Sequence, residues 1–227
     1  MAAATAAAEL AGSEMLVGLG TGRTASHAVR ALADRVASGL RIATVATSRI
    51  TQALAEGLGL GVVPLDGTAS VDLTIDGADQ VTPNLFAIKG GSGALLREKV
   101  IAEASDQVVV VVDSSKVVDQ LGGVALPVEV LPIALAAVQR ALGRFGVPVA
   151  QRMVAKQQPF LTDQGSFILD MYFDSLPDAP DVAARLADTP GVLEHGLFLR
   201  HIDSVFVGRG STVEVLRRPK PVHGGES

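Results

Sequence analysis

Five consecutive valines, Val108 to Val112, stop abruptly at Asp113. A run so apolar and so short suits a strand buried on both faces, and it falls far short of the roughly 20 residues that a membrane-spanning helix needs. Burial on both faces is characteristic of a parallel sheet covered by helices on either side. The preceding chain follows the same plan. Met15 to Leu19, Ile42 to Ala46 and Val71 to Ile75 read as short apolar strands, the last running into Asp76. Between them, Thr24 to Val36 carries Ala25, Ala28, Val29, Leu32 and Val36 at helical spacing. Ser48 to Leu58 reads as a helix with Ser48 as its N-cap, and Leu95 to Ala104 as another. Strand–helix alternation of this kind predicts an α/β fold, a mainly parallel sheet with flanking helices.

The pattern changes after Leu126. Val128 to Leu131 reads as a strand, and Pro132 opens a helix to Arg144. Pro148 to Val154 and Phe167 to Tyr172 are strands, Asp181 to Leu186 is a short helix, and a strand follows near Val192 to Leu197. That order, β-α-β-β-α-β, is the ferredoxin-like α+β pattern. It predicts a smaller domain over 126–203, set beside a larger α/β domain made of 1–125 and 204–227. Val205 to Val207 and Val213 to Leu216 are expected to rejoin the first sheet, and the Pro/Gly-rich tail from Arg217 to be loose.

Composition narrows the function. Of 227 residues, 48% are hydrophobic and 19% charged, which calls for a packed interior rather than disorder. The net charge is −5, and no basic stripe stands out beyond Arg217-Arg218-Pro219-Lys220, so neither nucleic acid nor an anionic membrane is an expected partner. Met1 to Ala8 lacks a positive n-region, so no signal peptide is expected. There is no cysteine, which excludes disulfides and thiol chemistry and fits a cytoplasmic setting. His27, His195, His201 and His223 show no metal-ligand spacing, so no metal is expected.

Four stretches look chemical. Gly18-Leu19-Gly20-Thr21-Gly22-Arg23-Thr24 joins a strand to a helix, where glycines admit an oxyanion and the helix start offers free N–H groups. It is neither a Walker loop nor a dinucleotide fingerprint, and a ligand-free tight turn would also explain it. Asp76-Gly77-Ala78-Asp79 ends a strand, where ligands of open α/β sheets sit; its carboxylates could meet sugar hydroxyls, hold a metal or cap a turn. Lys89-Gly90-Gly91-Ser92-Gly93-Ala94 is a second oxyanion cradle, with Glu98 early in the helix behind it. On an ordinary helix, Arg97-Glu98-Lys99 would be a solvated charge cluster. Asp113-Ser114-Ser115-Lys116 follows the valine strand and reads as a phosphate-holding Ser/Lys pair or a plain loop. Lysine is scarce, only Lys89, Lys99, Lys116, Lys156 and Lys220 among nineteen basic residues, and two of the five stand at these strand ends.

Seven strings in one order, GLGTGRT, DGAD, KGGSGALLREK, DSSK, LPVEVLP (Leu126 to Pro132), TDQGSFILD (Thr162 to Asp170) and GVLEHGLF (Gly191 to Phe198), give the chain its resemblance to the ribose-5-phosphate isomerase A family. The resemblance spans nearly the whole chain. It implies an α/β core with a ferredoxin-like lobe and metal-free, cofactor-free interconversion of ribose 5-phosphate and ribulose 5-phosphate through a cis-enediol. It implies Glu98 as the base that moves a proton between C2 and C1. Asp76, Asp79 and Lys89 would surround the reacting end of the sugar, with Lys89 and the amides after it stabilising charge on O1 and an aspartate assisting ring opening. Thr21, Gly22, Arg23, Thr24, Gly77, Ala78, Gly90, Gly91, Ser92 and Lys116 would bind substrate, and a homodimer or homotetramer is expected by analogy.

Three positions depart from the family pattern: Arg23 replaces a usual serine, Ser92 a usual glycine and Gln80 a usual acid. The chain also reaches its first glycine loop early and lacks the family's early lysine, so Arg23 is expected to take over a phosphate contact. Two other readings compete: a different enzyme of the same broad fold, such as an amino-sugar-phosphate deaminase or acyl-CoA transferase, and a non-catalytic sugar-phosphate sensor. The second lobe and the KGGSGALLREK string count against the first, and the retention of Glu98 against the second.

Overall fold

The structure, a computed structural model, describes residues 1–67, 70–176 and 178–218. The valine run lies in the interior of a six-stranded sheet whose order is Thr212–Arg217, Ser204–Arg209, Val108–Asp113, Leu73–Gly77, Leu16–Leu19, Ala43–Ala46. Every neighbouring pair is parallel except the edge hairpin of Ser204–Arg209 with Thr212–Arg217. Successive side chains of a strand face opposite ways. Val109 and Val111 accordingly join the core under the helices Ala2–Ala8 and Arg23–Ala37, while Val108, Val110 and Val112 join the core of the other face. Ser48 caps helix Arg49–Gly57 as expected, its Oγ accepting from the Thr51 amide at 3.1 Å. Helix Ala2–Ala8 was not foreseen from an alanine-rich start. Its Ala3, Ala4, Ala7 and Ala8 are buried, small enough to let the helix lie close on the sheet.

From Leu16–Leu19 the chain goes first to the sheet edge, Ala43–Ala46, and then back across to Leu73–Gly77. The strand order reverses there, leaving a crevice at the carboxyl ends of Leu16–Leu19 and Leu73–Gly77, the usual place for a ligand in such sheets.

A second, fully antiparallel sheet has the order Val192–His195, Ala125–Val130, Phe167–Tyr172, Val149–Gln151, with helices Leu135–Leu142 and Ala179–Ala187 packed against it. This is the expected ferredoxin-like arrangement. Helix Leu95–Glu103 touches both sheets. It buries Leu95, Ile101 and Ala102, and also Glu98 and Lys99, so its buried side carries charge as well as apolar residues. No helix among the described residues is long and apolar enough to cross a membrane.

Several boundaries differ from the sequence reading. The helix from Pro132 is α-helical only over Leu135–Leu142, between single 3-10 turns. The strand expected over Pro148–Val154 breaks at Arg152, after which Met153–Ala155 pairs with Gln158–Pro159. The strand expected over Val192–Leu197 breaks at Gly196, where the chain leaves the second sheet and Leu197–Phe198 pairs with Ala87–Ile88 in a small third sheet. Lys99 spans that break, its Nζ donating to the carbonyls of His195 (2.7 Å) and Leu197 (2.9 Å) and to Glu194 (2.7 Å). Of the expected loose tail, Arg217 ends a strand and Arg218 donates to the Leu199 and Ile202 carbonyls; residues 219–227 lie outside the described residues.

Gly196 is a crossing point where backbone touches backbone: a Cβ there would stand 2.3 Å from the Lys89 carbonyl oxygen and 2.8 Å from the Pro127 ring. Gly196→Ala is therefore expected to cost about 2 kcal/mol or more of stability by overpacking, measured by urea unfolding; a midpoint equal to the parent's would contradict this close packing.

Candidate active site

The floor of the crevice is set by a close approach of two strand ends. Gly20 donates its amide to the Ile75 carbonyl (2.9 Å), and a Cβ on Gly20 would fall 2.4 Å from the Asp76 Cα, so only glycine fits. The next amide, Thr21, donates to Asp76 Oδ1 at 3.1 Å. The Thr21 hydroxyl is held by Thr47 (2.6 Å), Ser48 (2.8 Å) and Thr51 (3.0 Å), which anchors the loop to the neighbouring strand and helix. Gly22, at φ +113°, turns the chain into helix Arg23–Ala37. The amides of Arg23, Thr24 and Ala25 open that helix with no partner among the described residues, as first-turn amides do.

Beneath this loop sits a buried charge cluster. Lys89 Nζ lies 2.9 Å from Asp76 Oδ2 and 3.2 Å from Glu98 Oε2, and it also donates to the Gly77 carbonyl. All three side chains are almost fully buried. The Glu98 contact is an ion pair without hydrogen-bond alignment, which leaves Oε2 free to accept. The Ser92 hydroxyl stands 3.5 Å from Glu98 Oε1. Asp79 holds the glycine loop itself, accepting from the Gly91 amide at 2.8 Å. The Phe198 ring backs the cluster, its centroid 5.2 Å from Lys89 Nζ and 4.8 Å from Lys99 Nζ.

These groups surround a cavity of about 250 Å³. Thr21, Gly22, Arg23 and Thr24 line one wall; Gly77, Ala78 and Asp79 another; Lys89, Gly90, Gly91, Ser92 and Glu98 a third; and Lys116 the rim. Of the residues that the family resemblance assigns to catalysis or substrate binding, only Asp76 is not in the wall, and the serines of the Asp113-to-Lys116 stretch are not in it either. Asp76 lies behind, bonded to Lys89 and to the Thr21 and Gly77 amides. Lys89 lines the wall while donating two hydrogen bonds, to Asp76 and to the Gly77 carbonyl, and pairing with Glu98. Ala25 and Asp113 line the cavity too. Asp113 stands in the DSSK string, but its side chain accepts from Ser115 and so serves the turn.

The comparisons with known proteins fit this geometry. The family model described as ribose 5-phosphate isomerase A (phosphoriboisomerase A) matches residues 43–212. The chain belongs to the ribose 5-phosphate isomerase A family. It is 52% identical to the ribose-5-phosphate isomerase A of Sphingopyxis alaskensis over 90% of this chain and 89% of that one. It is 44% identical to that of Rhodopseudomonas palustris strain TIE-1 over 96% of both. Among solved structures, ribose 5-phosphate isomerase A from Methanocaldococcus jannaschii superposes with a TM-score of 0.90 at 36% identity, covering 95% of this chain and 96% of that one. A D-ribose-5-phosphate isomerase in complex with phospho-erythronic acid gives 0.91 at 35% identity, with the same coverage.

Within this family fold, the charge cluster sets the proton affinities. Burial pushes the Glu98 carboxyl up from 4.5 to about 8; Lys89 opposes the shift, while Asp76 and Asp79 add to it. Burial alone would lower the Lys89 pKa, but Asp76 and then Glu98 outweigh it and hold the ammonium above the ordinary lysine range. No group of three or more His, Asp or Glu side chains among the described residues is arranged to hold a metal ion.

The raised Glu98 pKa has a stability consequence with a definite sign. The neutral carboxyl favours the folded state most fully below pH 4.5, and that contribution is lost as pH rises through about 8. Glu98→Gln, which cannot ionise, is expected to gain relative to the parent by about 5 °C in Tm between pH 5 and pH 9. Parallel melting curves across that range would show instead that Glu98 titrates as an ordinary carboxyl.

Proposed function

We propose that the chain interconverts D-ribose 5-phosphate and D-ribulose 5-phosphate, with Glu98 as the base. The observation that carries this reading is Glu98 itself: a buried carboxyl in the cavity wall, with one oxygen unpartnered and a pKa near 8, facing a cavity rich in free amides. A base is most effective when its pKa lies near the working pH. With the sugar opened, Glu98 would take the proton from C2, giving a cis-enediol with charge on O1, and return it to C1.

The geometry redistributes the supporting roles. Lys89 donates to Asp76 and Gly77 and pairs with Glu98, so its main part is to balance the carboxylates, and loop amides such as that of Ser92 share the donation to O1. Asp79 lines the cavity and Asp76 does not, so ring opening is assigned to Asp79. The phosphate is assigned to the opposite end, where the open amides of helix Arg23–Ala37, Arg23 and Lys116 converge. A division into a catalytic domain, 1–125 and 204–227, and a lobe over 126–203 belongs to the same proposal, as do a cytoplasmic setting and a homodimer or homotetramer, which light scattering tests.

Glu98→Gln should lower kcat by at least ~10²-fold with KM little changed, when ketose formation from ribose 5-phosphate is followed in EDTA. Near-parental turnover would remove Glu98 from the role, and activity restored only by a divalent ion would remove the metal-free mechanism. Arg23 is exposed at the cavity mouth with no ion pair or hydrogen bond among the described residues, so its guanidinium is available to an anion. Charge-assisted bonds contribute roughly 1.5–3 kcal/mol, so Arg23→Ser should raise KM by about tenfold; an unchanged KM would place Arg23 in solvent.

A further inference from the structure

Arg152 comes from the second sheet's side of the molecule and no reading of the sequence drew attention to it. It sits in the break between Val149–Gln151 and Met153–Ala155, with its backbone fixed at both ends: its amide donates to the Ile168 carbonyl (2.8 Å) and its carbonyl accepts from the Phe160 amide (2.9 Å). Its side chain is 15% exposed. The guanidinium is forked onto Asp170, with Nε 2.8 Å from Oδ2 and Nη2 on Oδ1. The remaining nitrogen, Nη1, donates to the carbonyls of Gly90 and Gly91, both at 3.1 Å. One cation from the second lobe thus grips two consecutive peptides of the glycine loop.

A trans peptide points its N–H away from its carbonyl. Holding the Gly90 and Gly91 carbonyls from outside therefore turns the next two amides, those of Gly91 and Ser92, inward. Gly91 and Ser92 line the cavity and Arg152 does not. The Gly91 amide is bonded to Asp79, and the Ser92 amide has no partner among the described residues. A positive charge on the carbonyl of a peptide also strengthens its N–H as a donor.

We infer that Arg152 is a positioning residue for the isomerisation: through the Gly90 and Gly91 carbonyls it presents the Ser92 amide to the oxygen that gains charge at the reacting end of the sugar. Asp170 holds the guanidinium in the plane that makes this double contact. The inference rests on the isomerase reading, and it adds a group on the second lobe that never touches substrate yet governs how well charge on O1 is met. Lysine could not replace it, because a single ammonium does not reach Asp170 and both carbonyls in fixed geometry.

The test uses the full chain. Loss of one aligned donor to a developing oxyanion costs about 10²-fold or more in kcat, so Arg152→Ala should fall by about that factor, and Arg152→Lys by about tenfold, with KM for ribose 5-phosphate within about threefold of the parent's. Millimolar guanidinium chloride should restore part of the Arg152→Ala activity and leave the parent unchanged. Phospho-erythronic acid should bind Arg152→Ala about tenfold more weakly, while inorganic phosphate binds as before. The inference is overturned by turnover within threefold of the parent in both variants. It is overturned equally by a loss that guanidinium does not reverse and that weakens both ligands alike, which is the mark of a merely structural residue. If Arg152→Ala does not fold, the kcat and KM of Arg152→Lys decide between the same outcomes. A parent chain inactive on ribose 5-phosphate would instead refute the isomerase reading, and the two binding measurements would still report on Arg152.

Discussion

One ammonium, that of Lys89, lies between two buried carboxylates, Asp76 and Glu98. An unpaired charge taken out of water is very costly, and a buried ion pair recovers that cost only when its remaining hydrogen-bonding capacity is met. Asp76 is met in full, by the Thr21 and Gly77 amides as well as by Lys89. Glu98 is not; it shares the same cation at a poorer angle and keeps an oxygen unpartnered. The shortage of positive charge thus falls on one carboxyl, which is the one facing the cavity. What would be a defect in a structural core becomes here a group able to hold or release a proton near neutral pH.

The rest of the molecule keeps that shortage in place. The two strand ends bring Asp76 under the first glycine loop, helix Leu95–Glu103 carries Glu98, and the third, small sheet brings Phe198 behind Lys89. The arrangement is closed from the far side, where the strand broken at Gly196 accepts from Lys99 and Arg152 holds the glycine loop. The cluster itself, Asp76, Lys89 and Glu98, and the residues lining the cavity all come from the chain before Val117, while the groups that brace them, Arg152, Asp170 and Phe198, come from much later in it.

Much of this was legible in the sequence, for physical reasons that differ from place to place. The valine run showed burial on both faces because no polar residue interrupts it, and alternating sides followed from strand geometry. Ser48 was readable as a cap because its hydroxyl has one obvious use before a helix. Glycine loops next to strand ends marked the cavity walls. Pairing was less visible: nothing in the residue order says that Lys89 meets Asp76, Gly77 and Glu98, since that depends on strands brought together by the fold. Two-residue strands such as Leu197–Phe198 carry too few positions to show a period. The alanines of Ala2–Ala8 gave no apolar stripe, because all are small and alike. Arg152 sits in a stretch that reads as a plain strand, Pro148 to Val154, and its importance comes from partners on other segments, Asp170, Gly90 and Gly91.

Glu98 and Lys99 are adjacent in sequence yet serve different sheets. A helix advances about 100° per residue, so neighbours on helix Leu95–Glu103 look in different directions, one to the cavity and one to the broken strand. The loop ahead of that helix is tied down at Gly90 and Gly91, which fixes where the count begins. Adding a residue between Ser92 and Glu98 would bring Arg97 into the place of the carboxylate and send Glu98 toward the broken strand, whereas removing one would bring Lys99 there and send Glu98 toward Ala46, where Arg97 now donates. The spacing is therefore as exacting as the chemistry: this segment can vary in composition, but hardly in length.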